Sequence, residues 1–450
     1  MIRAKMSSLL LLSLLLVCST LFIPKVEAAD YTQGVDVSGS TATIWFKSTV
    51  NTSWVDVHYT VNNGVQQNLR MTYNGGQARY EQAVPGIAAG NVIRYSFTYN
   101  NGIPAYDTGT FTYTVGTTPP PVPSSGSIYD IHPSSIPMPP SGAVSMKIMN
   151  GTNGAYADSQ IYWGVLGINP ANGRWSYLDL SGNLIPISSA LNDAPGHLTK
   201  NGINYANIYH KVSDANWVTL PQITSGRMFL SVNTPMYLKT FDDGFAGPDL
   251  NNPTDPNRDI IFDFVEFTID HAGYHGNTTR VDGFGFPIQH RLVNISGSFD
   301  QTVGEYESET RSGIFAKFQA EVPAEFKSLA TVQAPYRIVA PIHGSFAQGG
   351  ANANYFAGYS PYSTQDIFRC DGALTDAATC AAINRHVYTS NDWNNVSNYY
   401  KGTPANYYAK FWHDHSINGL AYGFAYDDVN GQAAYLEVGD PKGLIIRVGW

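Results

Sequence analysis

The sequence is short of cysteine: three in 450 residues, one of them within the first twenty. That leaves no framework for a disulfide scaffold and no C-x-x-C pair for a structural metal. Charge is scarce too, with charged residues at 14 % and 35 acids against 26 bases. A formal charge of −9 lacks the basic face that nucleic acid or an acidic membrane requires, so neither is an expected partner. No G-x-S-x-G elbow, H-E-x-x-H pair or phosphate-binding glycine loop occurs, which counts against serine esterases, zinc proteases and nucleotide enzymes. No organic or metal cofactor is expected.

Long apolar runs are also missing after the first thirty residues. Arg3 and Lys5 precede the apolar stretch Leu9–Val17, and Val26, Glu27, Ala28 and Ala29 form a small-residue exit. This order predicts a secretory signal peptide over residues 1–29 and an extracellular protein. The run is too short for a bilayer core of ~30 Å. Val17, before Cys18, is not the small residue a lipoprotein box needs. Of the remaining cysteines, Cys370 and Cys380 lie ten positions apart and are expected to pair in an oxidising compartment.

Aromatics are abundant. They make up 13 % of the chain, with 29 tyrosines. Rings that stack on sugars suit a protein handling neutral polymers, although tyrosine also simply suits strands.

One linker divides the chain. Residues 116–127, with the run TTPPPVPSSGS, combine extended prolines with a flexible Ser/Gly end. Before it, residues 30–115 hold short strand-like runs and turn signals such as VNNGV and NGGQ, the pattern of a small β-sandwich. In SWVDVHYTV, alternation puts Val55, Val57, Tyr59 and Val61 on one face and Trp54, Asp56 and His58 on the other. Trp54 is therefore a candidate sugar platform, or else a strand-end cover for the core edge.

After the linker, residues 128–450 begin strand-rich. Helical spacing follows, over Arg311–Ser328 with an interruption at Pro323, and an Ala-rich stretch spans Ala373–Val387. Strands followed by helices argue for α+β organisation. The most informative segment is FDFVEFTID, then HAGYHGN, then TTRVDGFGF. As a strand, the first puts Phe264, Glu266, Thr268 and Asp270 on one face. A hairpin centred on Tyr274 would set Glu266 opposite Asp282. Glycosidic cleavage needs such a pair, with one carboxyl keeping a proton for the leaving oxygen and the other ionised. Aromatic surroundings suit Glu266 to the acid. Asp282, beside Arg280 and two glycines that leave room for water, suits the base. The plain alternative is a surface pair or an ion pair with Arg280.

Two resemblances sharpen this reading. Residues 31–115, through SWVDVHYTVNNGVQQNLRM, resemble the family 56 carbohydrate-binding modules, which bind β-1,3-glucan. Residues 128–450 resemble glycoside hydrolase family 64, the β-1,3-glucanases that release a pentasaccharide. FDFVEFTID, NTTRVDGFGFP and INGLAYGFAYDDVNG carry the likeness, together with SQIYWGVLG, GRMFLSVNTP and the sixteen-residue spacing of Glu266 and Asp282. The resemblance implies a mainly β protein, with a sandwich module ahead of a catalytic domain made of a β-barrel lobe and a mixed α/β lobe, related to thaumatin-like proteins. It implies an inverting endo-acting enzyme on β-1,3-glucan, with Glu266 as general acid and Asp282 as general base. Thr268, Asp270, His275 and Thr279 fall where that family touches sugar, though the family carries Asn and Trp where this chain has Asp270 and His275. Asp427 and Asp428 fall on a turn bordering the groove. Inversion needs carboxyls roughly 6.5–9.5 Å apart, wider than a strictly opposed strand pair, so either the register is offset or the side chains diverge, and the wider separation is expected.

Other groups are read more plainly. His413 and His415 would share a face on a strand, but without a third ligand they are read as packing or hydrogen-bonding groups. Residues 242–259 are read as a surface loop. The protein is expected to act as a monomer. The rival reading is a non-catalytic thaumatin-like β-glucan-binding protein.

Overall fold

The structure is a computed structural model. It describes residues 31–38, 40–62, 64–88, 90–108, 110–115 and 126–450. The expected signal peptide and most of the linker lie outside the described residues. The chain forms two compact units, one ending at Thr118 and one starting at Pro119.

The first unit is a β-sandwich. One sheet has the order Tyr31–Ser38, Thr41–Ser48, Arg79–Pro85, Thr72–Asn74. The other is built on Gln67–Arg70, Val55–Val61 and Val92–Asn100, with Ala105–Asp107 and Phe111–Thr114 also pairing to the last. The alternation read from the sequence is what fills the core: Ile44, Phe46, Val55, Val57, Tyr59 and Phe97 are buried together, while Trp54, Asp56 and His58 face outward, half-buried.

In the second unit, two sheets enclose a common core. The smaller runs β5 (Val218–Leu220), β1 (Val144–Gly151), β12 (Pro441–Gly449), β9 (Ile288–Asn294), β10 (Asp300–Gly304). The larger runs β4 (Leu184–Pro186), β3 (Arg174–Leu178), β2 (Ile161–Asn169), β6 (Ile223–Val232), β7 (Ile261–Asp270), β8 (Gly273–Thr278), β11 (Tyr435–Val438). Val165, Met228 and Val265 from the large sheet meet Met146, Leu292 and Ile446 from the small one. Part of the outer face of the large sheet is covered. There Leu166, Phe229, Phe262 and Phe264 pack with Met236 and Leu238. Burial along β7 is therefore continuous from Phe262 to Val265 and alternates afterwards.

The helices form a second lobe around Phe284, Ile314, Phe318 and Trp412. They are α1 (Arg311–Glu321), α2 (Ala324–Lys327), α3 (Thr364–Arg369), α4 (Ala377–Asn384) and α5 (Tyr407–His415). Pro323 ends α1 as expected, because it caps α2 in extended backbone. Cys370 and Cys380 are joined by a disulfide between the end of α3 and α4. His413 and His415 lie on a helix, not a strand, because Asn406 caps the segment by accepting from the Ala409 N–H. Both are hydrogen-bonding groups: His413 to Asp427 and the Gly419 carbonyl, His415 to Glu309 and Glu321. Among the described residues no cluster of His, Cys, Asp or Glu could hold a metal, and no helix is long and apolar enough to cross a membrane.

Candidate active site

Where the outer face of the large sheet is uncovered, it floors a groove of about 530 Å³. Trp175 of β3, Arg227 of β6, Glu266 and Thr268 of β7, His275 and Asn277 of β8 and Tyr435 of β11 line it, with Phe245, whose short strand Phe245–Ala246, inside the stretch read as a surface loop, pairs with Lys239–Thr240. Cross-strand pairing explains the grouping. Arg227 pairs with Glu266, Glu266 with Asn277, Thr268 with His275, and Asn277 with Tyr435, so their side chains share one face.

The hairpin is tighter than the one centred on Tyr274. Asp270 pairs with Gly273, and Tyr274 sits opposite Ile269 with its ring in the core. Glu266 therefore faces Asn277, and Asp282 lies beyond the paired strand. The reason is the HAGYHGN run: the chain turns at once after Asp270, whose carboxylate accepts the Ala272 N–H at 2.8 Å.

Asp282 reaches the site by another route. Gly285 packs so tightly on β7 that a Cβ would come within 1.9 Å of the Phe262 carbonyl oxygen, and one on Gly283 within 2.6 Å of that of Ile338. The glycines permit close backbone approach, which is a different role from leaving room for water. Gly285 brings its backbone against Phe262, and Gly283 brings its own against Ile338. There Asp282 lines a narrow cleft of about 20 Å³ with Asp263 and Phe264. That volume holds one water molecule.

Arg227 supplies a cation at the groove floor. Its guanidinium bonds Glu266 at 2.5 Å and lies 4.6 Å over the Phe264 ring. Burial pushes the Asp282 carboxyl above its ordinary range; the Arg227 charge opposes this and the Glu266 charge adds to it. Arg280 is not the partner of Asp282. It is buried, bonding Asp263 at 2.8 Å and Glu305 at 2.7 Å, and its guanidinium lies over Phe284 and Trp412.

The expected sugar contacts divide. Thr268 and His275 line the groove. Asp270 sits at its rim, with His275 3.7 Å away. Thr279 is buried, and its hydroxyl accepts the Val281 N–H at 3.2 Å, shaping the turn toward Asp282. Asp427 is fully buried and bonds Arg385, His413 and the Gly423 N–H. It cannot reach sugar, because three donors already hold it inside the helical lobe. Asp428 is exposed in the adjoining turn, close enough to act with Glu266 on the Tyr422 hydroxyl. Sequence reasoning missed Arg227, Trp175, Asn277 and Tyr435. Arg227 stood in GRMFLSVNTP and Trp175 in the strand-rich start of the second part, but only the folded sheet shows that they share the groove of Glu266.

In the module, Arg70 lies 4.6 Å over the Trp54 ring, held by Asp56, so one face of the expected sugar platform is covered. The open groove on the same sheet, about 500 Å³, is lined instead by His58, Thr60, Arg94, Ser96, Thr98 and Asp107 among others.

These features agree with what the chain is similar to. The sequence profile of the family 64 β-1,3-glucanases matches residues 142–362 and 360–448, and that of carbohydrate-binding module family 56 matches residues 33–108. A laminaripentaose-producing β-1,3-glucanase of family 64 from Paenibacillus barengoltzii, solved with laminarihexaose, is 70 % identical, covers 94 % of this chain and 100 % of its own, and superposes with a TM-score of 0.72. A family 64 β-1,3-glucanase domain from Clostridium beijerinckii is 37 % identical over 70 % of this chain and 100 % of its own, with a TM-score of 0.65. A glucan endo-1,3-β-glucosidase of Cellulosimicrobium cellulans is 23 % identical over 292 residues. The match spans about half of that relative, 53 % of its length, and 51 % of this chain. The chain therefore belongs to the β-1,3-glucanases of glycoside hydrolase family 64 and carries a family 56 carbohydrate-binding module ahead of its larger unit.

Proposed function

We propose that the protein is a secreted, monomeric endo-β-1,3-glucanase that inverts the anomeric centre and releases oligosaccharides such as the pentasaccharide. The observation that carries this reading is a pair of carboxyls that line two cavities along β7. An aromatic-edged groove holds Glu266, and a one-water cleft next to it holds Asp282. Glu266 gives its proton to the glycosidic oxygen as the bond from C1 breaks. Asp282 takes a proton from the water that attacks C1 on the opposite face.

The offset of the two carboxyls supports inversion. Asp282 lies beside Phe264, one same-face step along β7 from Glu266. An inverting pair stands roughly 6.5–9.5 Å apart, wider than the ~5–5.5 Å of retention, and carboxyls carried on separate pieces of backbone suit the wider spacing. The raised proton affinity of Asp282 strengthens it as a base. Thr268, Asp270, His275, Trp175 and Tyr435 are the proposed sugar contacts, with Asp428 at the far turn. The division we propose is a leader over 1–29, a glucan-binding module over 30–115, a linker over 116–127 and the catalytic domain over 128–450. The module raises the local concentration of glucan through the linker.

The test is product release from linear β-1,3-glucan by wild type and by Glu266→Gln. Cutting by wild type and binding without cutting by the variant uphold the reading. Binding without cutting by both makes this a non-catalytic glucan-binding protein.

A further inference from the structure

One carboxylate joins the strand of Glu266 to the segment that carries Asp282. Asp263 stands on β7, three positions before Glu266, and is buried. Its Oδ2 accepts the Arg280 Nη1–H at 2.8 Å and the Gly285 N–H at 2.9 Å. Its Oδ1 accepts the Phe264 N–H at 2.9 Å. Arg280 comes two positions before Asp282, and Gly285 three after it. A single oxygen therefore closes the 280–285 segment into a loop with Asp282 inside it. Asp263 also lines the cleft that holds Asp282. No other hydrogen bond joins 280–285 to β7 among the described residues.

The remaining ties of the segment run elsewhere. The Arg280 N–H donates to the Tyr422 carbonyl at 2.8 Å, and the Arg280 carbonyl accepts the hydroxyl of Tyr408 on α5 at 2.6 Å. The Asp282 carbonyl accepts the Ala340 N–H at 3.2 Å, and the Gly285 carbonyl accepts the Nε–H of Arg311 on α1 at 2.6 Å. Glu305 takes the other side of the Arg280 guanidinium at 2.7 and 2.8 Å. Arg337, the second cation of the cleft, bonds Gln333 and the carbonyls of Asn257, Arg258 and Ile260, none of them in the segment. Its hydrogen bonds hold the chain that leads into β7.

A buried acid is costly unless donors replace its lost water. Three N–H groups do so for Asp263, two of them from the segment that carries Asp282. We infer that Asp263 is a positioning residue for the reaction: its Oδ2 seats the Asp282 segment on β7 and so fixes the base against Glu266 on the same strand. Neither sugar nor the attacking water touches it. This inference rests on the proposed glucanase reading and deepens it.

The experiment compares full-length wild type, Asp263→Ala and Asp263→Asn on soluble linear β-1,3-glucan and on a laminari-oligosaccharyl β-fluoride. Fluoride leaves with little help from an acid. A loss at the base step therefore shows on both substrates, and a loss at the acid step fades on the fluoride. Asp263→Ala leaves Arg280 paired with Glu305. It should lower kcat about 10²-fold on both substrates, as a displaced group does, with KM little changed. Asp263→Asn can offer its carbonyl oxygen to Arg280 and Gly285 and should recover most of that loss. Gly285→Ala keeps every acid but drives a Cβ against the Phe262 carbonyl oxygen. It should reproduce the kcat loss, and it carries the test where Asp263→Ala does not fold. Hydrogen exchange across residues 280–285 is read alongside and should quicken in Asp263→Ala. Wild-type kcat in folded Asp263→Ala, or a loss that fades on the fluoride, overturns the inference. Quickened exchange in a protein whose wild type cuts neither substrate upholds the seating and overturns the glucanase reading instead.

Discussion

Glu266 faces Asn277 across the β7–β8 hairpin, and Asp282 lies beyond the end of that pairing, beside Phe264. The two carboxyls thus come from separate pieces of backbone and sit in different surroundings. Glu266 meets Arg227 at the groove floor, while Asp282 is sunk in a cleft for one water.

The proposed roles differ accordingly. Asp282→Asn should lower turnover by ~10²–10⁴ with KM little changed, measured as reducing ends released from linear β-1,3-glucan. Turnover near that of wild type would remove Asp282 from the mechanism.

Burial raises the Asp282 carboxyl, with Arg227 opposing and Glu266 adding, so the folded state holds the proton more tightly than the unfolded state. Stability then falls as pH rises from the unfolded value through the folded one. At neutral pH Asp282→Asn should melt higher, by about 2–4 °C for each kcal/mol recovered. The gain should vanish below the unfolded value, near pH 4. Equal melting temperatures at neutral pH would contradict the burial.

Arg280→Met should destabilise the larger unit by about 3–5 kcal/mol, since it strands Asp263 and Glu305, whose side chains are 3 % and 2 % exposed. Denaturant unfolding measures it. A loss under about 1 kcal/mol would mean that the two acids take up protons at little cost.

Asp427→Asn should act on folding and leave KM alone. Burial pushes the Asp427 carboxyl up, but His413 and Arg385 outweigh it and hold the group below its ordinary range; His413 is raised in turn, against its own burial, by Asp427. The stability from Asp427 is lost as pH falls through its lowered value. That from His413 is present at low pH and lost as pH rises past its raised value. The variant should flatten both dependences in thermal melts. A changed KM with unchanged melting would restore Asp427 to the groove.

In the module, His58→Ala should weaken retention on insoluble β-1,3-glucan several-fold and leave turnover of soluble oligosaccharide unchanged. His58 bonds Asn68 and Thr98 at the groove of that sheet. Trp54→Ala should do less, because Arg70 already covers one face of the ring. Retention measured by pull-down decides between them.

Local pattern in the sequence determined a good deal. Period-two alternation gave the faces of Val55–Val61 and of Val265–Asp270, since a strand side chain points by parity alone. Glu266, Thr268 and Asp270 on one face were legible in that way, the helix break at Pro323 from its missing N–H and the Cys370–Cys380 pair from their closeness in the chain. What parity does not supply is the partner. The hairpin centre depended on where a glycine-rich turn would close, and it closed after Asp270. Arg227 reached Glu266 through strand order, and Asp282 reached Phe264 because glycines let two backbones touch. Asp427, equally acidic in the sequence, was drawn inside by Arg385 and His413. Which acid lines the groove and which stays buried was decided by long-range packing, where a charge goes only where a partner offsets its loss of water.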